Sequence, residues 1–544
     1  VFTGTTGTRS RPTSGVAPRV TVAGTVRPAS EARGRRAPVA TTPAERTADA
    51  LDALLRGPLR FGTTGLYVAD AVTGAELFAI HPDDPLNPAS NVKLISTATA
   101  LAQVGPAFRY RTRVLGPSPD AVGAVAGPVY LLGTFDPTLA IAGIDDLAAA
   151  VAARGVRAIH GDVVVGAQPT RDGIYRARVR VGVTAAAPGA APSVTVGPVS
   201  DFLEVVNLAT TGKRPKVKKG AGLTIGATTI EHDGKRRLRL TIAGTIGKGK
   251  SLDRFVTTKD RHLFTAHLLR AALAKAGVTV DGDVRVADLE QYVADAAQAG
   301  RLPVVLGEHQ SAPLADIVAQ VNKRSINWLA DRVLTTTTAL AHGELPSMAD
   351  GVDAMYGWMD RAGQIARADA VVDTGSGLSY RTALSARQLV TVVRVASGTA
   401  APASPTEAAR AEAFRASLAV GGVDGTLRAR FRSSLRGRVH AKTGTLTGVI
   451  ALSGLLEAPD GRTLAFALVT NGHGARQKLG VRAGHEQVVA ELDRYLAALA
   501  PPAAPVEVAP AATEDGPAVA TSTSEIDRTG DDLADDVEPT PAAP

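Results

Sequence analysis

The 544-residue chain has no cysteine, which excludes disulfides, thiolate metal sites and a cysteine nucleophile but does not fix the compartment. Only 4% of its residues are aromatic, thin provision for stacking nucleic-acid bases. It has no run of 18 or more apolar residues, so no membrane-spanning helix is expected. No signal peptide is visible, and the chain opens on Val1 rather than Met, which fits a leader removed or left out. What is present is 45% apolar residues, enough at this length for roughly two to four globular domains.

The net charge of +8 is unevenly spread. Residues 1–50 carry eight arginines against Glu31, Glu45 and Asp49, while residues 501–544 carry ten acids against Arg528. Both ends are rich in Pro, Ala, Thr and Gly and lack apolar periodicity, so 1–43 and 501–544 are expected to be disordered, basic and acidic respectively. The basic remainder suits an anionic surface such as a cell wall, and no nucleic-acid motif accompanies it.

Order is expected from Ala44, where AERTADALDALLRG sets Ala48, Leu51, Leu54 and Leu55 on one helical face. A hairpin follows, turning at Thr73-Gly74, with Leu66, Val68, Leu77 and Ala79 alternating. Between Tyr110 and Arg301 short apolar strands alternate with Gly and Pro, and two basic clusters, GKRPKVKKG and GKRRLRL, read most simply as solvated loops. Helical texture returns at 311–334 and 385–395. RVHAKTGTLTGVIALSGLLEAPDGRTLAFALVTN reads as three strands, and a helix over 484–500 turns Val488, Leu492, Tyr495, Leu496 and Leu499 inward.

The anomaly is NPASNVKLISTATAL, a helix opening at Asn87-Pro88-Ala89 with a lysine in its first turn, where a cation opposes the macrodipole. Ser90 and Lys93 are three apart and can meet on one helical face. A serine hydroxyl becomes a nucleophile only when a base takes its proton, and a lysine can do so once burial and a neighbouring cation depress its pKa. Taken alone the pair is weak. Two later segments support it: Ser325 and Asn327 flank Ile326 just before a helix, and Lys442-Thr443-Gly444 opens a strand. A glycine there lets a ligand lie close against the backbone.

The order Ser-x-x-Lys, Ser-x-Asn, Lys-Thr-Gly in helix, turn and strand is the signature of penicillin-interacting serine acyltransferases. The segments 308–334, 373–390, 414–431 and 440–456, with the long gap between Ser90 and Ser325, resemble the D-alanyl-D-alanine carboxypeptidase/endopeptidase family of low-molecular-mass, class C penicillin-binding proteins. That resemblance implies an α/β, transpeptidase-like (β-lactamase-like) domain, an antiparallel sheet flanked by helices, formed by residues 44–109 and 302–500. It is interrupted by a mainly β insertion, 110–301, of one or two subdomains. It implies Ser90 as acylated nucleophile, Lys93 as general base and Ser325 as proton relay. Asn327 would hold the substrate amide, Lys442 would add positive charge near the substrate carboxylate and depress Lys93, and Thr443 would bind that carboxylate beside Gly444. Backbone N–H groups of Ser90 and Thr445 would form the oxyanion hole. No metal or cofactor is implied. The expected partners are peptidoglycan stem peptides, with β-lactam antibiotics as covalent inhibitors and anionic wall polymers contacting the basic insertion. An extracytoplasmic location follows from that substrate.

This chain departs from the family at Ile326, where aspartate is common, and at YLLGTFDPTL, which is poorer in glycine. His81, His160, His309 and His440 have no acidic partner at metal spacing. Gly375-Ser376-Gly377 and Asp424-Gly425-Thr426 read as turns, not nucleophile elbows. The rival readings are a β-lactamase or serine esterase of the same fold, and a wall-binding protein whose catalysis has decayed.

Overall fold

A computed structural model describes residues 21–22, 41–168, 171, 173–174, 176–213, 222–343, 345–399 and 404–500. The acidic tail and most of the cluster GKRPKVKKG lie outside the described residues. The chain divides into two compact units, one formed by residues up to Pro106 and from Val318 onward, the other by Ala107–Ile317. The first unit is thus discontinuous in sequence, closed by pairing between strands far apart in the chain.

Its frame is a seven-stranded sheet in the order Thr21–Val22, Glu76–Ile80, Thr63–Asp70, Thr463–Asn471, Val449–Glu457, Val439–Leu446, Ala419–Val420. Neighbouring strands run antiparallel throughout. The hairpin turns at Gly74, whose φ of 78° is one that L side chains rarely adopt. Six of the eight residues of Thr63–Asp70 are buried in succession, where the expected alternation would have wetted one face. Thr21–Val22 pairs with Phe78 and Ala79, so the N-terminal segment expected to be structureless supplies an edge strand at that point.

Against one face pack the helices Pro43–Arg56 and Lys478–Ala498, through Leu51, Val481, Val488, Leu492 and Leu496. Leu499, expected to face inward, is 44% exposed because it falls just past the last helical residue. The sheet core around Leu66, Val68, Ile450, Leu452, Phe466 and Leu468 is closed to solvent, each large side chain contributing roughly 1.5–3 kcal/mol of hydrophobic stabilisation.

The helix Val92–Val104 is buried from Val92 to Leu101 without an exposed stripe, which marks a central helix. Its hydroxyls are satisfied within the fold: Thr97 and Thr99 donate to the carbonyls of Lys93 and Ile95 at 2.6 and 2.9 Å. Around it in the sequence of this unit come the helices Asn327–His342, Met348–Gly363, Ala386–Ser397 and Pro405–Ser417. Ser385 caps the third of these in a reciprocal capping box with Gln388.

The second unit has a five-stranded sheet and three smaller three-stranded ones. Among its described residues it also contains the helices Ile141–Ala153, Arg261–Lys275 and Leu289–Gln298. A large core cluster runs from Val114 through Phe202 and Leu240 to Leu306, and a smaller one gathers Tyr130, Val164 and Tyr292. The unit also extends past the expected boundary at 301, because Val304–Gln310 pairs with Arg111–Gly116 and the Ser311 and Leu314 amides donate to the carbonyls of Tyr110 and Phe108.

Candidate active site

The chain enters the site through a short 3-10 turn, Ala89–Asn91, before the helix begins at Val92. Ser90 therefore stands on that turn rather than in the first α-helical turn. Ala89 adopts φ 48°, a left-handed conformation that costs a residue bearing a Cβ about 1 kcal/mol. Ser325, between the helices Leu314–Arg324 and Asn327–His342, is likewise left-handed at φ 57°. Both left-handed turns are at or beside candidate site residues, and neither has a glycine to advertise it in the sequence.

Lys93 Nζ lies 2.9 Å from Ser90 Oγ, 2.6 Å from Asn327 Oδ1 and 2.7 Å from the Ser376 carbonyl oxygen. A neutral amine has two N–H groups and one lone pair. Asn327 Oδ1 and the Ser376 carbonyl can only accept, so they take the two N–H groups and leave the lone pair to Ser90. Burial pushes the Lys93 ammonium down to about 7, with Asp331 opposing the shift.

Lys442 is also fully buried, its Nζ 2.8 Å from Ser325 Oγ and 2.9 Å from the Thr443 carbonyl oxygen. Burial first, then repulsion from Lys93, lowers it well below the ordinary lysine value. Lys442 was expected to depress Lys93. In the structure burial is the main cause of the Lys93 shift, and the two ammonium groups, when both are charged, repel each other, each favouring the other's neutral form. Its contact with Ser325 also places it behind that serine, out of solvent.

The open half of the Val439–Leu446 strand carries the remaining expected residues. Ala419–Val420 covers only Ala441 and His440, leaving 442–446 as an edge. The Thr443 hydroxyl donates to Thr426 Oγ1 at 2.9 Å and Thr445 is exposed. Gly444 is buried, and a Cβ there would come within 2.5 Å of the Pro88 carbonyl oxygen. The space its missing side chain was expected to give a ligand is occupied by Pro88 and Ala89 of the turn that carries Ser90.

Sequence reasoning missed three contributors. Ser376, read as part of a turn, supplies the carbonyl that orients Lys93. Asp331, one turn beyond Asn327, provides a nearby negative charge; burial raises its own carboxyl, partly offset by Ser376, Lys93 and Gly375. Asn471, at the end of an inner strand, grips the segment before Ser90. The i+4 spacing from Asn327 to Asp331 was available as a signal; the other two are contacts across more than 280 residues. The four histidines set aside have acidic neighbours in isolated pairs, Asp84, Asp281, Asp146 and Glu457.

The model of the D-Ala-D-Ala carboxypeptidase 3 (S13) family matches residues 47–492. A D-alanyl-D-alanine carboxypeptidase of Actinomadura sp. (strain R39) is 30% identical over 493 residues, spanning 83% of this chain and 85% of that protein. A carboxypeptidase of Mycobacterium tuberculosis is 29% identical over 450 residues, 80% and 82% of the two chains. Among solved structures, penicillin binding protein 4 from Haemophilus influenzae, complexed with a β-lactam, shares the fold with a TM-score of 0.61 at 20% identity, covering 81% of this chain and 99% of that one.

Proposed function

This chain belongs to the D-Ala-D-Ala carboxypeptidase 3 (S13) family, and from that premise we propose how its residues divide the work. The protein is a serine-type D-Ala-D-Ala peptidase of the penicillin-binding class that acts on peptidoglycan. Lys93 takes the proton of Ser90, and Oγ attacks the carbonyl of the penultimate D-alanine. The negative charge that develops on the carbonyl oxygen is met by the N–H groups of Ser90 and Thr445, such a donor being worth about 3 kcal/mol of barrier. The C–N bond then breaks, and Ser325, backed by Lys442, passes a proton to the departing amine. Water attacks the resulting ester, releasing the shortened peptide and restoring the serine hydroxyl. Asn327 holds the substrate amide and Thr443 its terminal carboxylate. Carboxypeptidase and endopeptidase reactions are this same acyl transfer and differ only in the amine that leaves.

The observation that carries the assignment is the saturation of Lys93. In the neutral amine the two fixed acceptors use both N–H groups and leave the lone pair to take the Ser90 proton, whereas in the ammonium the third N–H donates to Ser90 Oγ. The substrate places the enzyme outside the cytoplasmic membrane; no described helix is long and apolar enough to cross one. Contact with anionic wall polymers falls to the basic insertion, in whose second cluster Lys235 is paired with Asp283, Arg236 with Glu231 and Asp260, and Arg239 with Glu204.

Intact mass after brief exposure to benzylpenicillin, with Ser90→Ala alongside, tests the reading. A one-to-one adduct on the native chain and none on the variant is expected. Consumption of penicillin without an adduct would favour a β-lactamase, and no reaction at all a decayed wall-binding protein.

A further inference from the structure

Asn471 is the last residue of Thr463–Asn471 and is paired on both sides, with Thr63 and with Val449. Its side chain leaves the sheet and grips the backbone of one residue: Oδ1 accepts from the Asn87 N–H at 2.8 Å, and Nδ2 donates to the Asn87 carbonyl at 3.0 Å. Asn87 passes the constraint on. Its Nδ2 donates to the Ser379 carbonyl at 2.9 Å, and its Oδ1 accepts from the Ala89 N–H at 2.8 Å.

Ala89 is thereby held left-handed between two glycines. A Cβ on Gly377 would come within 2.1 Å of the Ala89 carbonyl oxygen, and one on Gly444 within 3.2 Å of the Ala89 Cβ. The Ala89–Ser90 peptide is planar and trans, so its N–H points opposite to its carbonyl. Seating the Ala89 carbonyl over Gly377 therefore fixes where the Ser90 N–H points.

We propose that Asn471 is a positioning residue for the reaction: by clamping Asn87 through both of its backbone groups, it holds the Ala89–Ser90 peptide in the orientation that aims the Ser90 N–H at the developing oxyanion. This rests on the oxyanion role given above to that N–H. Asn471 touches neither substrate nor reacting atoms. It acts from a strand paired on both edges, on a turn in which Ala89 is held left-handed. An error of about 1 Å at a reacting group can cost on the order of 100-fold in rate.

The test uses the full chain with Asn471→Ala and with the near-isosteric Asn471→Asp, which keeps the acceptor for the Asn87 N–H and loses the donor to its carbonyl. Stopped-flow acylation by a fluorescent penicillin separates non-covalent affinity from the acylation rate constant. For Asn471→Ala the rate constant falls about 10- to 100-fold and non-covalent affinity stays within about twofold. Affinity for a peptidyl boronic acid, whose tetrahedral adduct puts an oxygen in the oxyanion position, falls by a similar factor. Asn471→Asp loses about 3- to 10-fold in rate, and it carries the test alone if Asn471→Ala does not fold. Native acylation rates in the folded variants overturn the proposal, as does a fall in rate with boronate affinity unchanged. Ser90→Ala is run beside them: an adduct on that variant would sink the functional reading itself, whereas a dead Ser90→Ala with native Asn471 variants sinks only the clamp.

Discussion

The acylation rate should follow the protonation of Lys93. With its ammonium at about 7, the neutral, proton-accepting form is roughly a tenth of the population at pH 6 and a hundredth at pH 5. The second-order rate constant for acylation by penicillin should therefore rise about tenfold per pH unit below 7 and level off above it. A lysine at its ordinary value of 10.5 would place that plateau above pH 10. The second half of the prediction concerns Asp331, the charge that favours the ammonium form. Asp331→Asn removes it, so Lys93 gives up its proton more readily and the midpoint moves to lower pH. Opposite charges at short range are worth about 1–3 units, so a shift of at least ~0.5 unit is expected. The assay is stopped-flow acylation between pH 4.5 and 9.5 on both proteins, with thermal midpoints measured at each pH to exclude unfolding. A flat profile would refute Lys93 as the base. A midpoint near 7 that Asp331→Asn leaves in place would mean that some other group, such as a histidine, is titrating.

Gly444→Ala puts a Cβ within 2.5 Å of the Pro88 carbonyl oxygen and 3.0 Å of the Ala451 Cβ. The nucleophile turn must retreat, at about 1–3 kcal/mol of stability and at least a tenfold loss of acylation; native values for both in a thermal melt and an acylation assay would contradict the packing described. His485 is fully buried, its Nε2 2.9 Å from Thr470 Oγ1, and burial, with Arg430 and His473, pushes its imidazole down to about 3. The unfolded chain takes up that proton near 6.5, so its contribution to stability is complete above 6.5 and is lost as pH falls toward 3, in total roughly 5 kcal/mol. His485→Gln should flatten the unfolding free energy against pH in that window, read by denaturant titration.

The elements most legible in the sequence were those with a local cause. The hairpin at Thr73-Gly74, the capped helix after Ser385 and the three closing strands all declare themselves by turn chemistry and apolar spacing, and the structure has each of them. The pairing of Ser90 with Lys93 was legible because three residues of helix or 3-10 turn bring both to one side. What did not show was distant. Nothing around Ala89 signals a left-handed residue, because the conformation depends on the grip of Asn471 on Asn87 and on the space left by Gly377 and Gly444, all far away in the chain. Gly444 itself was assigned to the ligand because a strand glycine reads alike whether a substrate or a neighbouring backbone fills the gap. The three helices of 107–317 were passed over because short valine-rich strands and turn residues dominate that stretch. Alternation in Thr63–Asp70 suggested one wet face, which a strand with neighbours on both edges and helices over the sheet does not have.

The pairing of Thr63–Asp70 with Thr463–Asn471 also has a consequence for how the protein is made. The two strands are separated by about 400 residues, which at a synthesis rate of about 5–20 residues per second take roughly 20–80 seconds to emerge. The Ser90 turn and its helix exist as chain well before the strand that closes the sheet beside them and brings Asn471 to Asn87. The second unit has its own core and can fold during that wait, while the first is held open. A nascent chain stopped anywhere before Asn471 would carry the serine and the lysine without the frame that sets them. Acylating power should therefore switch on late and abruptly in synthesis, so that truncated products neither attack the wall nor trap an antibiotic.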